Sequence, residues 1–277
     1  DCLLSRGLGD VYKRQGPLAN FILAFIIFVC VFMFVGKDFT TPSIAEVQKD
    51  SPAEIYGLKK NDIIVEINDE KVNSILDVSK FIMLSNTEFI KFTVLRNDIE
   101  FKTKVKPNEI DTKDEFGNPI KKRIVGIQLT PYNDNIDHVK LGPAKATYFA
   151  IKEIYFISVK SLQYMWGLIQ KIWGKGYGDI NQLGGPIKIA QISGKVAEFG
   201  FLPFIMTMAY ISISLGLVNL FPIPLLDGGH ITLNTIEAIR GKEYNRKTIE
   251  ISFRIGIAIL GTLILFTTIN DLKGLFS

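Results

Sequence analysis

The stretch with the most chemical content is Asn219-Leu-Phe-Pro-Ile-Pro-Leu-Leu-Asp227-Gly-Gly, which closes a long uncharged run. Pro222 and Pro224 lack a backbone N–H and break a helix, leaving upstream carbonyls unsatisfied. Such backbone is tolerated at membrane depth only where protein buries it or it lines a wet cavity. An acid such as Asp227 costs roughly 2.5–3.5 kcal/mol at the centre of a span and calls for a partner, for example a metal ion. Gly228 and Gly229 allow close backbone approach or a positive φ. These residues mark a functional site in a membrane cavity without specifying its reaction.

Few other residues compete for that chemistry. His138 falls in a polar linker, and His230 reads as a helix-start or interface residue rather than a ligand. The two cysteines, Cys2 and Cys30, support neither a disulfide framework nor a Cys-based zinc site. Net charge is +4, with Lys and Arg spread along the chain rather than gathered into a nucleic-acid stripe, so no nucleic-acid partner is expected.

The elements that must position the motif are apolar. Mean hydropathy is +0.22, concentrated in three runs. Pro17 to Gly36 has 20 residues without a charge, enough to cross a hydrocarbon core of about 30 Å. Phe199 to Leu226 is longer than one span needs. Ile255 to Asn270 is marginal, with Arg254 and Lys273 placed to snorkel. The short loop before the third run carries Arg240, Lys242, Arg246, Lys247 and Arg254, which faces it to the cytoplasm and puts the charged middle region outside.

That middle region alternates strand-like and turn-like segments. SIAEV is a short strand; Ser51 and Pro52 start a short helix that Gly57 closes. Ile63, Val65 and Ile67 alternate on one face before an Asn68-Asp69 turn. Ile75, Val78 and Ile82 have helical spacing. Residues 89–98 and 99–107 read as a hairpin turning at Asn97-Asp98. A polar excursion (DTKDEFGNPIKK) follows, then RIVGIQLTP as one more strand. The matching residues SPA (Ser51 to Ala53), GLKKNDIIVEIND (Gly57 to Asp69) and VGI (Val125 to Ile127) resemble a PDZ domain of the permuted bacterial type. Asn61 stands where that pattern has Gly, a mild departure because Asn tolerates the left-handed conformation. The resemblance implies a peptide added to a sheet edge, with Val125, Gly126 and Ile127 near its carboxylate.

Between module and membrane, Pro143 to Trp173 sets Lys145, Lys152, Lys160 and Lys171 along one stripe with aromatics opposite, the pattern of an interfacial amphipathic helix. A fourth span is the alternative. Pro186 suits the first turn of another helix.

N-x-x-P-x-P-x-L-D-G-G resembles the second signature of the site-2 protease family, and residues 16–277 look like its regulator-of-sigma-E protease branch. GPLAN (Gly16 to Asn20) is similar to the start of that family's second span. LGGPIKIA (Leu183 to Ala190) and SLGLVNLFPIPLLDGGH (Ser214 to His230) are similar to the segments leading into and through its third. The resemblance implies zinc, with Asp227 as third ligand, Asn219 catalytic beside the substrate backbone or oxyanion, and Pro222, Pro224, Gly228 and Gly229 shaping the loop. Three protein ligands leave one zinc position for a water whose pKa falls toward 7, with a Glu as base. In the family His-Glu-x-x-His on the preceding span supplies the rest; this sequence has no such motif. The expectation is an upstream span before Gly16, and a chain inactive as written. Asp1 to Gln15 lacks any helical or strand period and reads as a non-native leader.

The fold class expected is a multi-pass α-helical membrane protein with an inserted small, mainly β, PDZ-like extracytoplasmic domain. Its parts are a leader (1–15), a first transmembrane helix (16–36), the PDZ-like domain (41–132) and juxtamembrane amphipathic helices (140–198). A second transmembrane helix with the motif (199–226) and a third (251–272) follow. The resemblance implies a bacterial inner-membrane protease cutting single-span membrane proteins, anti-sigma-factor-like, with the bilayer and a PDZ-bound peptide as further partners. A non-catalytic, membrane-tethered peptide-binding protein is the alternative. A transporter is the weaker one, because three spans show no inverted repeat.

Overall fold

The computed structural model describes residues 15–85, 87–113, 119–172, 184–242 and 244–276. All of the expected leader (1–15) except Gln15, which begins a helix, lies outside them, as do the centre of the polar excursion and the Gly-rich turn before Gly184. The chain divides into a sheet unit and a helical unit.

Helix α1 (Gln15–Cys30) continues into a π-helical turn, Val31–Val35. Gly36, at φ +113, then starts a narrow neck. Strand β1 (Lys37–Asp38) pairs antiparallel with β10 (His138–Val139). The Phe39 amide donates to Asp137 O at 2.7 Å and the Leu141 amide to Phe32 O at 3.0 Å. A Cβ on Gly36 would press on the Val139 carbonyl, which explains a glycine here.

Beyond the neck, β2 (Pro42–Val47), β3 (Ile63–Ile67), β5 (Ile90–Arg96), β6 (Ile99–Val105) and β9 (Ile127–Pro131) form an antiparallel sheet in the order β6-β5-β3-β2-β9, with β4 (Glu70–Lys71) beside β3. Two short helices pack with it. In α2 (Pro52–Ile55) Ser51 Oγ accepts the Glu54 amide, and in α3 (Ile75–Leu84) Ser74 Oγ accepts the Asp77 amide. Each cap contributes about 1 kcal/mol. The core is Ile44, Leu58, Ile64, Ile67, Val78, Ile82, Ile90, Phe92, Val94 and Val105. Burying each large apolar chain contributes roughly 1.5–3 kcal/mol.

Two readings of this region are corrected. Ile64 and Ile67 are the buried residues of β3, not Ile63, Val65 and Ile67. A β-bulge between Ile64 and Glu66 shifts the register and rotates the inward face. RIVGIQLTP is not one strand: β8 (Pro119–Ile124) ends before Gly126, whose φ of +84 turns the chain into β9. The described flanks of the polar excursion are strands, where β7 (Asn108–Lys113) pairs with β8 as a separate ribbon.

Among the described residues three helical stretches are long and apolar enough to cross a membrane: Gly16–Val35, Phe201–Asn219 and Lys247–Lys273. Helix α4 (Pro143–Ile172) is a single helix of 30 residues that starts at its proline. It is followed by α5 (Pro186–Glu198), α6 (Phe201–Asn219), α7 (Asp227–Arg240) and α8 (Arg246–Phe276). Two lengths differ from the sequence reading. The second run is helical only to Asn219, because Pro222 and Pro224 deny the next turn its donors. The third is far longer than its uncharged core, and Glu250 pairs with Arg254 at 2.8 Å one turn away.

Helices α1 and α6 run antiparallel and in close contact. On α6, Ala209, Ser212, Ile213, Gly216 and Leu217 form one buried stripe. Ser212 Oγ donates to Asn20 O at 2.9 Å, and a Cβ on Gly216 would stand 2.9 Å from the Phe21 ring. Phe28 and Tyr210 meet as tilted rings at 5.7 Å. Small residues at the contact, Ala209, Ser212 and Gly216, let the two helix backbones approach closely.

Candidate active site

The site grows out of the end of α6. Its last turn tightens, with the Leu220 amide donating to Leu217 O and the Phe221 amide to Val218 O, both at 3.0 Å. Pro222 and Pro224 offer no donors, and the chain folds on itself instead: the Ile223 amide donates to Phe221 O at 2.7 Å and the Leu226 amide to Ile223 O at 3.0 Å. Leu225 sits at φ +105, a conformation that costs a side-chain-bearing residue of order 1–3 kcal/mol. The surrounding packing must hold it there.

That packing is backbone on backbone. A Cβ on Gly228 would collide with the Leu220 and Phe221 carbonyls, and one on Gly229 with the Ile223 carbonyl. Both glycines are buried in the first turn of α7. Close approach, rather than a positive φ, is therefore their reason. From the far side Gly256 of α8 fits under the Pro224 carbonyl. Sequence reasoning missed Gly256; a glycine in an apolar run that also holds Gly261 was its only signal.

Asp227 is the first residue of α7, where the helix dipole favours a carboxylate. It is half-buried. Its Oδ2 would be 2.6 Å from a Cβ on Gly16, in the first turn of α1. The GPLAN and LDGG segments, remote in sequence, are thus brought together. Asn219, the last residue of α6, is also half-buried at the mouth of the loop. His230 packs its ring on Phe253 at 5.3 Å. His138 belongs to the neck, opposite Asp38.

Among the described residues no group of three His, Cys, Asp or Glu side chains comes together. These residues do not by themselves fit a zinc ion.

In the sheet unit, Val125, Gly126 and Ile127 lie at the entry to β9. The Val125 carbonyl accepts the Ala53 amide and the Gly126 carbonyl the Gln48 amide, each at 2.9 Å. A Cβ on Gly126 would collide with Ser51. Strand β9 ends the sheet order, with β2 as its one neighbour there, and α3 packs against it.

The chain matches the family model described as "Peptidase family M50" over residues 14–263. It is 36% identical over 260 residues to "Putative zinc metalloprotease Atu1380" of Agrobacterium fabrum, covering 94% of this chain and 68% of that protein. It is 33% identical to "Zinc metalloprotease RasP" of Geobacillus kaustophilus, covering 94% of this chain and 58% of that one. The crystal structure of the PDZ domain of an SdrC-like protein from Listeria monocytogenes is similar over 33% of this chain and 88% of that chain, with 23% identity and a TM-score of 0.26. The matched span takes in both GPLAN and the Asn219 to Gly229 loop, and the chain belongs to peptidase family M50.

Proposed function

We propose that the protein is an intramembrane zinc endopeptidase of the bacterial inner membrane that cuts transmembrane segments of single-span proteins, anti-sigma-factor-like ones among them. The observation that carries this is the placing of Asp227. It stands on a proline-broken loop between apolar helices, against the start of α1. Asp227 is one zinc ligand, and the remaining ligands come from outside the described residues. Asn219 faces the substrate backbone, and Pro222, Pro224, Gly228 and Gly229 hold the loop in shape.

The PDZ-like module lies on the outer side and takes an extended peptide along the free edge of β9, with Val125, Gly126 and Ile127 near its end. Helix α4 lies on the membrane surface. The test is cleavage of a single-span reporter by the full-length protein in proteoliposomes, with zinc measured per chain. Wild type cleaves; Asp227→Asn abolishes cleavage and lowers bound zinc. Cleavage by Asp227→Asn at the wild-type rate refutes the assignment.

A second reading is a membrane-tethered peptide-binding protein without catalysis. It requires that the full-length protein bind peptide, hold no zinc and leave the reporter intact.

A further inference from the structure

A second buried acid lies away from the Asp227 loop. Asp271, near the end of α8, is 6% exposed. Its Oδ1 accepts the Gly185 amide at 2.9 Å and its Oδ2 the Lys188 amide at 3.0 Å. Gly185 is the N-cap of α5 and has no side chain with which to cap it; Pro186 follows at the first helical position. In a capping box the N-cap side chain takes the amide three residues on, and that residue's side chain takes the N-cap amide. Here one carboxylate from a different helix does both. Gly185 makes room for it: a Cβ there would stand 2.7 Å from Asp271 Oδ2 and 3.0 Å from Thr267.

Helix α5 turns at Gly200, φ +114, into α6, and α6 leads to Asn219 and the Asp227 loop. Helix α8 meets this continuous piece at Gly256 and at Asp271. Gly256 receives the Pro224 carbonyl at one end. Asp271, about 22 Å farther along α8 at 1.5 Å per residue, holds the first turn of α5 at the other. We propose that Asp271 is a positioning residue, a cap supplied by α8 that clamps α5 and so keeps α6 and its loop in register against α8. Its activity readout rests on the proteolytic function proposed above; its exchange readout does not.

The experiment uses the full-length protein in proteoliposomes, with hydrogen exchange read beside single-span reporter cleavage. In Asp271→Ala the Gly185 and Lys188 amides exchange at least about tenfold faster. Turnover falls about tenfold or more, with KM and bound zinc unchanged. Asp271→Asn keeps the shape and one acceptor oxygen, and retains intermediate turnover even if the alanine variant fails to fold. In Asp271→Ala/Lys188→Glu the new glutamate supplies an acceptor within α5 and no link to α8. The Gly185 amide is protected again, and turnover stays low.

Wild-type turnover in Asp271→Ala overturns the proposal. Restored turnover in the double variant also overturns it, because Asp271 is then a local cap only. Unchanged exchange in Asp271→Ala overturns it whether or not the protein cleaves the reporter. A wild type that cleaves nothing while Asp271→Ala exchanges faster defeats the proteolytic reading and leaves the clamp standing.

Discussion

Asp227 Oδ2 and the Cα of Gly16 are packed so closely that a methyl group on Gly16 would lie 2.6 Å from the oxygen. The carboxylate thereby borders the first turn of α1, whose leading amides have no partner within the helix and whose dipole is positive. Glycine serves here by having no side chain. The room it leaves is where an acid from the far end of the chain comes to rest.

Gly16→Ala therefore displaces Asp227 while leaving α1 helical. Cleavage of a single-span reporter by the full-length protein is expected to fall about tenfold or more, with thermal unfolding little changed. A wild-type rate in this variant counts against any role for the contact.

Gly228→Ala and Gly229→Ala press a methyl group on carbonyls that cannot rotate away, and each is expected to cost about 1–3 kcal/mol. Thermal unfolding in detergent measures it. Gly194 and Gly261 are the controls: a Cβ at either meets nothing within 4 Å, and alanine there stabilises by about 0.5–1 kcal/mol.

In the sheet unit Arg96 grips Asp62 with two bonds of 2.7 Å and donates to Gly57 O at 2.7 Å. The Asp62 side chain is fully buried and that of Arg96 is 27% exposed. The guanidinium, held charged by Asp62, also lies over Phe101 at 4.5 Å. Asp62→Ala removes both carboxylate bonds, leaves it only the Gly57 carbonyl, and costs about 1.5–3 kcal/mol. Arg96→Lys recovers little of the bidentate geometry. Hydrogen exchange in β3 and β5 reads both.

Asp69 is exposed, and a hydrogen bond and charge from Lys91 hold its carboxyl below the usual carboxylate range. A lowered pKa means the pairing supports the fold above the unfolded carboxylate pKa and is lost as pH falls through the folded value. Lys91→Ala should return Asp69 to ordinary titration, followed by its carboxyl carbon shift in NMR. An unmoved titration refutes the pairing.

Asn61 sits at φ +68, with its amide donating to Ile44 O at 2.8 Å. Asn61→Val is expected to cost about 1–2 kcal/mol, and Asn61→Gly close to nothing, by thermal unfolding.

That position also shows what sequence could tell. The turns at Asn68-Asp69 and Asn97-Asp98 were legible because few residues accept positive φ, and both pairs adopt it. The cap at Ser51 is equally local, while the cap at Ser74 went unread. The inward face of β3 was misread because a bulge is invisible to strict alternation. The β7–β8 ribbon was missed because it is polar and has no core face to announce it. Of the candidate site, residue types and order foretold a broken helix. Which atoms crowd Gly228, or that Gly16 faces Asp227, depends on helix packing that no local pattern encodes.

The pairing of Lys37–Asp38 with His138–Val139 means the chain enters and leaves the sheet unit through one doorway, two strands about 4.8 Å apart. A unit with adjoining ends is the kind that insertion and exchange tolerate. Whatever is spliced between those strands, α1 ends and α4 begins at the same neighbouring points. The length of chain between those strands can thus change without moving the ends of the helices that flank it.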